Sequence, residues 1–388
     1  MEIVEDRAGS AAVAVTERPA RAEARPLPAP PPRWLAAAAL RLRRALRAAA
    51  DLVVPAPVGM FELIGGYMQT HLLRAAARLR IADLLAAGPA SAEELAARAG
   101  VEAESLRRML RGLATLGVFA RGRDGRFRNN RASRALLAQA PVSLRDCALY
   151  FGSESQLRAW DELERTLAGG AASGFERVHG MSTWEWFERH SEERAAFAGT
   201  MVGLTRLYAP GIAAAYPFGE VRRLCDVGGG HGDLLAEVLL RHPHLEAVLL
   251  DAACVLATAR PFLDARGVLG RVELAAGSFF DAVPAGCDAY LLKNVLHDWD
   301  DQRAAQVLGN CRRAMQPGHR LLVVEAVVEQ HTLREIGPLS DLQMMMVCSG
   351  GRERGRAEYA RLFDRAGIRL QRVMPACGPM SVLEGIAV

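Results

Sequence analysis

The sequence predicts an α/β protein: a Rossmann-like, doubly wound domain preceded by a helical domain that carries a winged-helix unit. Three observations predict it. After Tyr216-Pro217-Phe218-Gly219 short apolar runs alternate with helical stretches, the first run ends in the glycine-rich turn Gly228-Gly229-Gly230-His231-Gly232, and between Ser91 and Arg128 two helices lead into a hairpin. The 388 residues are enough for two domains, and 51% hydrophobic with 24% charged residues is the balance of a soluble globular chain.

Residues 1–33 are rich in Ala, Pro, Arg and Glu and end in Pro26-Leu27-Pro28-Ala29-Pro30-Pro31-Pro32, so they are expected to form a disordered tail with too little apolar surface to offset ordering. Trp34 to Ala50 reads as a helix, with Arg33, Arg41, Arg43, Arg44 and Arg47 set against Trp34, Leu35, Leu40, Leu42 and Leu46 and no acid among them. Such a helix can lie on an anionic membrane surface. The reading preferred is a solvated helix that packs its leucine edge on the domain or on a second subunit.

Residues 34–140 are assigned to the helical, winged-helix domain. Ser91-Ala92-Glu93-Glu94 starts a helix with a hydroxyl cap and two acids, Gly100 stops it, Ala103 to Leu116 supplies the next, and Gly122-Arg123-Asp124-Gly125 turns a small hairpin. A winged helix invites a DNA-binding reading with Arg107, Arg108 and Arg111 as contacts. Against it, Leu106, Met109, Leu110 and Leu113 form a core stripe whose solvated back would carry those arginines, and the net charge of +4 owes much to Arg33 to Arg47, so no nucleic-acid partner is expected. Phe61, Leu63, Ile64, Met68, Leu72 and Leu73 supply more apolar surface than a small domain can bury, which predicts a homodimer.

Residues 141–215 are read as a helical linker and pocket region, unusually rich in Trp160, Met181, Trp184, Trp186, Phe187, Phe197 and Met201. Most are expected in a core, and a minority could line an apolar pocket for a flat organic molecule. Residues 216–388 form the doubly wound domain, with buried strands expected at Leu224–Val227, Ala247–Leu250, Val272–Ala275, Ala289–Leu292 and Leu321–Ala326. The seven cysteines are scattered, with no Cys-x-x-Cys pair, which argues against a disulfide framework or a metal site and for a reducing cytoplasm. No apolar run reaches bilayer length, and Glu2, Glu5 and Asp6 stand where a signal peptide would be basic, so the mature protein is expected to begin where the sequence does.

The turn after Asp226 does not have the Gly-x-Gly-x-x-Gly spacing of a dinucleotide site; its tighter form suits the methionine part of S-adenosylmethionine. About twenty residues on, Asp251 ends the second strand, where a carboxylate accepts hydrogen bonds from the ribose hydroxyls of an adenosine cofactor. The competing role for Asp251 is to cap a helix running from Ala252 onwards.

With these residues in view, the chain resembles the plant-type small-molecule O-methyltransferases, the family of caffeate and acetylserotonin methyltransferases and their bacterial antibiotic- and pigment-tailoring relatives. The resemblance runs from about Gly59 to the C-terminus. It rests on Asp226-Val227-Gly228-Gly229-Gly230, on Leu292-Lys293-Asn294-Val295-Leu296-His297-Asp298-Trp299-Asp300-Asp301, on Val323-Val324-Glu325 and on Gly350-Gly351-Arg352-Glu353-Arg354. It implies an S-adenosylmethionine-dependent enzyme that methylates a hydroxyl of a small aromatic, polyketide or pigment-type metabolite, and an N-terminal region that interlocks with a second copy.

Methyl transfer to oxygen needs that oxygen deprotonated as it attacks, and His297 is the expected base; an unperturbed imidazole, with a pKa near ~6.5, is largely neutral at pH 7. The resemblance implies that Glu325 and Glu353 flank the base and hold its ring. Asp298 is ambiguous: it could orient polar groups around the base or, with Asp300 and Asp301, cap the next helix. For the cofactor, the resemblance carries Gly228, with Asp226 and Gly230 of the same turn, to the methionine part, Asp251 to the ribose, Phe279 to the adenine and Lys293 to carboxylate or backbone contacts. Ser278 stands where relatives carry Asp, which implies a weaker or water-mediated bond to the adenine amine, and His231 replaces a threonine. For the acceptor, Phe197 and Met201 match a Phe and Met one turn apart, and Met344 and Cys348 fall on another pocket-lining stretch. Cys348 replaces a polar amide, which argues for an acceptor more apolar than a phenylpropanoid. Two other readings stand beside this one: a relative that binds the cofactor but performs hydroxylation, decarboxylation or rearrangement, and a winged-helix regulator.

Overall fold

The computed structural model describes residues 26–28, 30–329 and 336–388. The tail expected over 1–33 falls mostly outside them, but its described end is not free. The Leu27 amide donates to Glu237 Oε2 at 2.9 Å, and Arg241 donates to the Leu27 carbonyl at 2.8 Å. The arginine-rich helix runs over Arg33–Val53, longer than expected at both ends, and is followed by helices Ala56–Ile64 and Gly66–Arg78. Among the described residues no single helix is long and apolar enough to cross a membrane.

Helix Ala92–Ala99 begins where a capping box satisfies its first N–H groups: Ser91 Oγ accepts from the Glu94 amide at 3.2 Å and the Glu94 carboxylate accepts from the Ser91 amide at 2.7 Å. Helix Ala103–Thr115 buries Leu106, Leu110 and Leu113 against it. Strands β1 (Ala120–Arg121) and β2 (Phe127–Arg128) pair antiparallel, and Ala90 bridges to Phe127 on the hairpin's other side. Of the three arginines considered for DNA, Arg107 is engaged by Glu93 and Glu104. Leu72 and Leu73, expected among the surplus apolar surface, pack on this domain's own core, whereas Phe61, Leu63, Ile64 and Met68 are exposed.

The second half is a seven-stranded sheet: β3 (Arg223–Val227), β4 (Glu246–Asp251), β5 (Val272–Ala276), β6 (Ala289–Lys293), β7 (Arg320–Ala326), β8 (Ile368–Pro375) and β9 (Met380–Ala387), in the order β5-β4-β3-β6-β7-β9-β8. The first five are parallel; β9 runs antiparallel to both β7 and β8. The sheet is therefore mixed, and its last two strands are additional to the five expected. One face packs Leu224, Leu249, Leu291 and Leu322 on helices Asp233–Arg241, Ala253–Ala265 and the end of Ser191–Ala215. The other packs Val227, Tyr290, Leu292 and Val323 on helices Asp301–Ala314 and Arg356–Arg365. The strand order reverses between β3 and β6, which opens a crevice at their C-terminal ends.

Candidate active site

Two loops meet at that crevice: the glycine turn after β3 and the segment Asn294–Asp298 after β6. At Gly228 φ is +68°, and its amide donates to the Leu250 carbonyl at 2.8 Å, continuing the β3–β4 ladder past the strand end. A Cβ on Gly229 would lie 2.4 Å from Leu249 Cδ1 and 2.5 Å from the Asp226 carboxylate carbon, so the turn can lie this low on the sheet only with glycine there. Among the described residues, nothing but its own chain neighbours lies within 4 Å of where a Gly230 Cβ would stand, and the Gly230 amide donates to Asp251 Oδ2 at 2.8 Å. The other Asp251 oxygen accepts from the Ala252 amide at 2.7 Å, and the helix Ala253–Ala265 receives no side-chain cap. Asp251 thus ties the β4 end to the glycine turn instead of capping the helix.

Beneath the turn, burial pushes the Asp226 carboxyl up to about 7, reinforced by Asp251 and opposed by Lys293. Burial lowers the Lys293 ammonium to about 8 against the pull of Asp226, Asp233, Glu325 and Asp298. Phe279 packs beside the turn, where a Gly228 Cβ would meet its ring at 3.2 Å, and its carbonyl accepts from Asn310 Nδ2 at 2.7 Å. Ser278 Oγ accepts from the Phe280 amide at 3.1 Å, within its own loop. The open space over Gly230, the strand-end carboxylate of Asp251 and the ring of Phe279 fit an adenosine cofactor lying across the crevice.

His297 is buried at the end of the second loop. Its Nδ1 lies 3.0 Å from Glu353 Oε1, and its Nε2 lies 3.4 Å from Asn294 Nδ2 and 3.5 Å from Asp298 Oδ1. Glu353 is held in turn by Ser340 Oγ, which donates to the same Oε1 at 2.7 Å, and by its own amide, which donates to Asp341 at 2.8 Å. Glu325 does not hold the ring. Its Oε1 accepts from the amides of Val295, Leu296 and His297 at 3.1, 2.7 and 3.3 Å, and its Oε2 accepts from the Tyr359 hydroxyl. The reason is direction: Glu325 points from β7 at the backbone of the loop, whereas Glu353 comes from the segment beyond helix Gly337–Val347 and meets the ring at Nδ1.

The expectation that His297 is largely neutral at pH 7 needs correcting. Burial disfavours its charged form, but the carboxylates of Glu353 and Asp298, the hydrogen bond to Glu353 and the more distant Glu325 outweigh burial and raise the ring to about 10. Asp298 is resolved by its neighbours. Asp300 caps helix Asp301–Ala314 by accepting from the Arg303 amide at 2.8 Å, while Asp298 faces the His297 ring and accepts from Cys348 Sγ at 3.8 Å. Burial pushes the Asp298 carboxyl up to about 6, with His297 opposing.

Cys348 therefore reaches the same group of side chains as His297. Phe197 joins an aromatic cluster with Tyr150 at 5.4 Å, Phe187 at 4.8 Å and Trp184 at 5.9 Å, and Trp184 stacks on Trp299, two residues beyond His297, at 6.0 Å. Met201 is half-buried one turn beyond Phe197, and Met344, like Trp160 and Leu163, packs against the buried cluster of Met346, Val347 and Cys348. Sequence reasoning gave no role to Arg354, which is fully buried and donates to the Leu296 and Trp299 carbonyls at 2.9 and 2.7 Å and to Asp301. Its place in Gly350-Gly351-Arg352-Glu353-Arg354 was the available signal.

Residues 160–369 match the model of the O-methyltransferase domain and residues 61–139 that of the O-methyltransferase dimerisation domain. The chain belongs to the S-adenosylmethionine-dependent O-methyltransferase family. Among the relatives of this methyltransferase, the phenazine O-methyltransferase of Lysobacter antibioticus is 36% identical over 331 residues, 85% of this chain and 96% of that one. The 8-amino-8-demethylriboflavin N,N-dimethyltransferase of Streptomyces davaonensis is 34% identical over 317 residues, 81% of this chain and 90% of that one. An O-methyltransferase from neocarzinostatin biosynthesis, solved with S-adenosylmethionine and 2-hydroxy-5-methyl naphthoic acid, superposes with a TM-score of 0.69 at 32% identity, covering 82% of this chain and 96% of that one. The present enzyme is an O-methyltransferase whose cofactor is S-adenosylmethionine.

Proposed function

We propose that the enzyme methylates a hydroxyl of a small, planar, largely apolar aromatic metabolite, with His297 as general base. The observation that carries this reading is the ring of His297 gripped at Nδ1 by Glu353, with Nε2 turned toward the crevice residues Asn294 and Asp298. In this reading Asp226, Gly228 and Gly230 receive the methionine part of the cofactor and Asp251 its ribose. Phe279 and Ser278 take the adenine, and Lys293 the carboxylate side. Phe197, Met201, Met344 and Cys348 line the acceptor site, an apolar and sulfur-rich surface suited to a flat ring. The naphthoic acid bound by the neocarzinostatin relative supports an acceptor of that class.

S-adenosylmethionine, when bound, supplies an electrophilic methyl group on a positively charged sulfonium, and a cation in the crevice disfavours a second cation on His297. With the ring neutral, Nε2 takes the proton of the acceptor hydroxyl as the oxygen attacks. Glu353 at Nδ1 stabilises the imidazolium that results, and Glu325 keeps the loop that presents the ring in place. We also take the enzyme to act as a homodimer built on its N-terminal helices and winged-helix unit. We assign it to a reducing cytoplasm, in keeping with seven cysteines that are all free thiols.

The test is mass spectrometry after incubating the enzyme and methyl-labelled cofactor with an extract of the producing cells. Label on the oxygen of an aromatic hydroxyl is the expected result. Label confined to nitrogen or carbon, or an extract in which nothing is labelled, contradicts the proposal.

A further inference from the structure

We propose that Asn294 is a positioning residue that holds the neutral His297 ring in the tautomer whose free lone pair is on Nε2. This rests on the reading of His297 as base. Asn294 directly follows β6 with φ +53°, a left-handed conformation that asparagine tolerates, and its amide donates to the Val324 carbonyl of β7 at 3.2 Å. Its side chain is oriented by chemistry as well as by place. Lys293 Nζ lies 2.8 Å from Asn294 Oδ1, and an ammonium can only donate, so the carbonyl oxygen faces Lys293 and the amide nitrogen faces His297 Nε2 at 3.4 Å. An amide N–H directed at Nε2 is attractive only if that nitrogen holds a lone pair. If Nε2 carries a hydrogen, the two N–H groups oppose each other.

The far side of the ring requires the same tautomer, since Glu353 Oε1, 3.0 Å from Nδ1, accepts a proton held there. Asp298 works the other way, because its carboxylate 3.5 Å from Nε2 favours a proton on that nitrogen. Nε2 therefore sits between a donor that resists protonation and an acceptor that encourages it. Among the described residues, the other charged or titratable groups near the ring include Glu325 beneath its loop, Asp341 behind Glu353, Lys293 behind Asn294 and the Cys348 thiol beside Asp298. Among the described residues, Asn294 is the group in direct reach of Nε2 that opposes the carboxylates. It links Lys293, on the cofactor side in this reading, to the atom that takes the acceptor proton.

The test needs no acceptor: long-range proton–nitrogen NMR of the full-length protein labelled with nitrogen-15 histidine, with His297 assigned by its loss in H297Q. In wild type, recorded on the alkaline side of the His297 titration midpoint where the ring is neutral, the expected form is the Nδ1–H tautomer. Asn294→Asp keeps the shape and the contact with Lys293 but turns the donor into an acceptor, so the His297 titration midpoint should rise by about one pH unit, the low end for a carboxylate at this distance. Asn294→Gly suits the left-handed backbone and only removes the donor, so the midpoint should rise by less; it decides the matter if the Asp variant does not fold. An Nε2–H tautomer in wild type overturns the proposal. So do folded variants whose midpoints coincide with the wild type's. If H297Q transfers label as fast as wild type while the NMR behaves as expected, it is the base reading that falls, and the tautomer assignment stands.

Discussion

Glu325 and Glu353 are both buried acids near one histidine, yet they act on different parts of it. Glu325 gathers three successive backbone N–H groups, which fixes the course of the chain from Val295 to His297, and Glu353 fixes the imidazole itself. Asp251 shows the same economy of contact, with each oxygen on one backbone amide and further acceptor capacity left on each. If that capacity serves the ribose, Asp251→Ala should weaken S-adenosylmethionine binding about tenfold to a hundredfold, the loss of one or two hydrogen bonds to a charged group. Calorimetry checks this, and equal affinities for wild type and variant would remove Asp251 from the ribose.

At the scale of elements, the inner parallel strands were legible because burial on both faces makes them near-continuous apolar runs, as in Ala247-Val248-Leu249-Leu250 of β4, whereas β5, expected to be buried, lies at the sheet edge with no buried position. Strands β8 and β9 escaped that test. In Ile368–Pro375 buried or half-buried positions are interrupted by the exposed Arg369, Gln371 and Arg372, the mark of a sheet edge, and Gly385 breaks the run in β9. The glycine turn and the His297 loop were legible as motifs because glycines and a strand-end histidine are local features. What the motifs could not convey is direction. Whether Glu325 meets the ring or the backbone, whether Asp298 faces inward, and how strongly the gathered carboxylates raise His297 all depend on segments about 30 to 60 residues away in the chain.

For the molecule as a whole, the surface left uncovered is as informative as the core. Phe61, Leu63 and Ile64 are 77%, 75% and 66% exposed in a single chain, within the segment that matches the dimerisation domain. Apolar side chains this bare and this close together are expected to be covered by a second copy. Light scattering at micromolar concentration should give twice the 41.9 kDa chain mass, and Phe61→Asp with Ile64→Asp should shift it toward the single-chain value. A wild-type mass of one chain would contradict the dimer. The central claim, that this crevice joins a cofactor cradle to a proton acceptor, is tested most directly by measuring cofactor affinity and turnover together in His297→Ala, with the aromatic acceptor found by labelling. The account predicts unchanged affinity with turnover lowered roughly 10²–10⁴-fold, the range of a lost acid–base catalyst, and partial recovery as pH rises toward ionisation of a phenolic acceptor. A variant that binds cofactor normally and turns over as fast as wild type would contradict it.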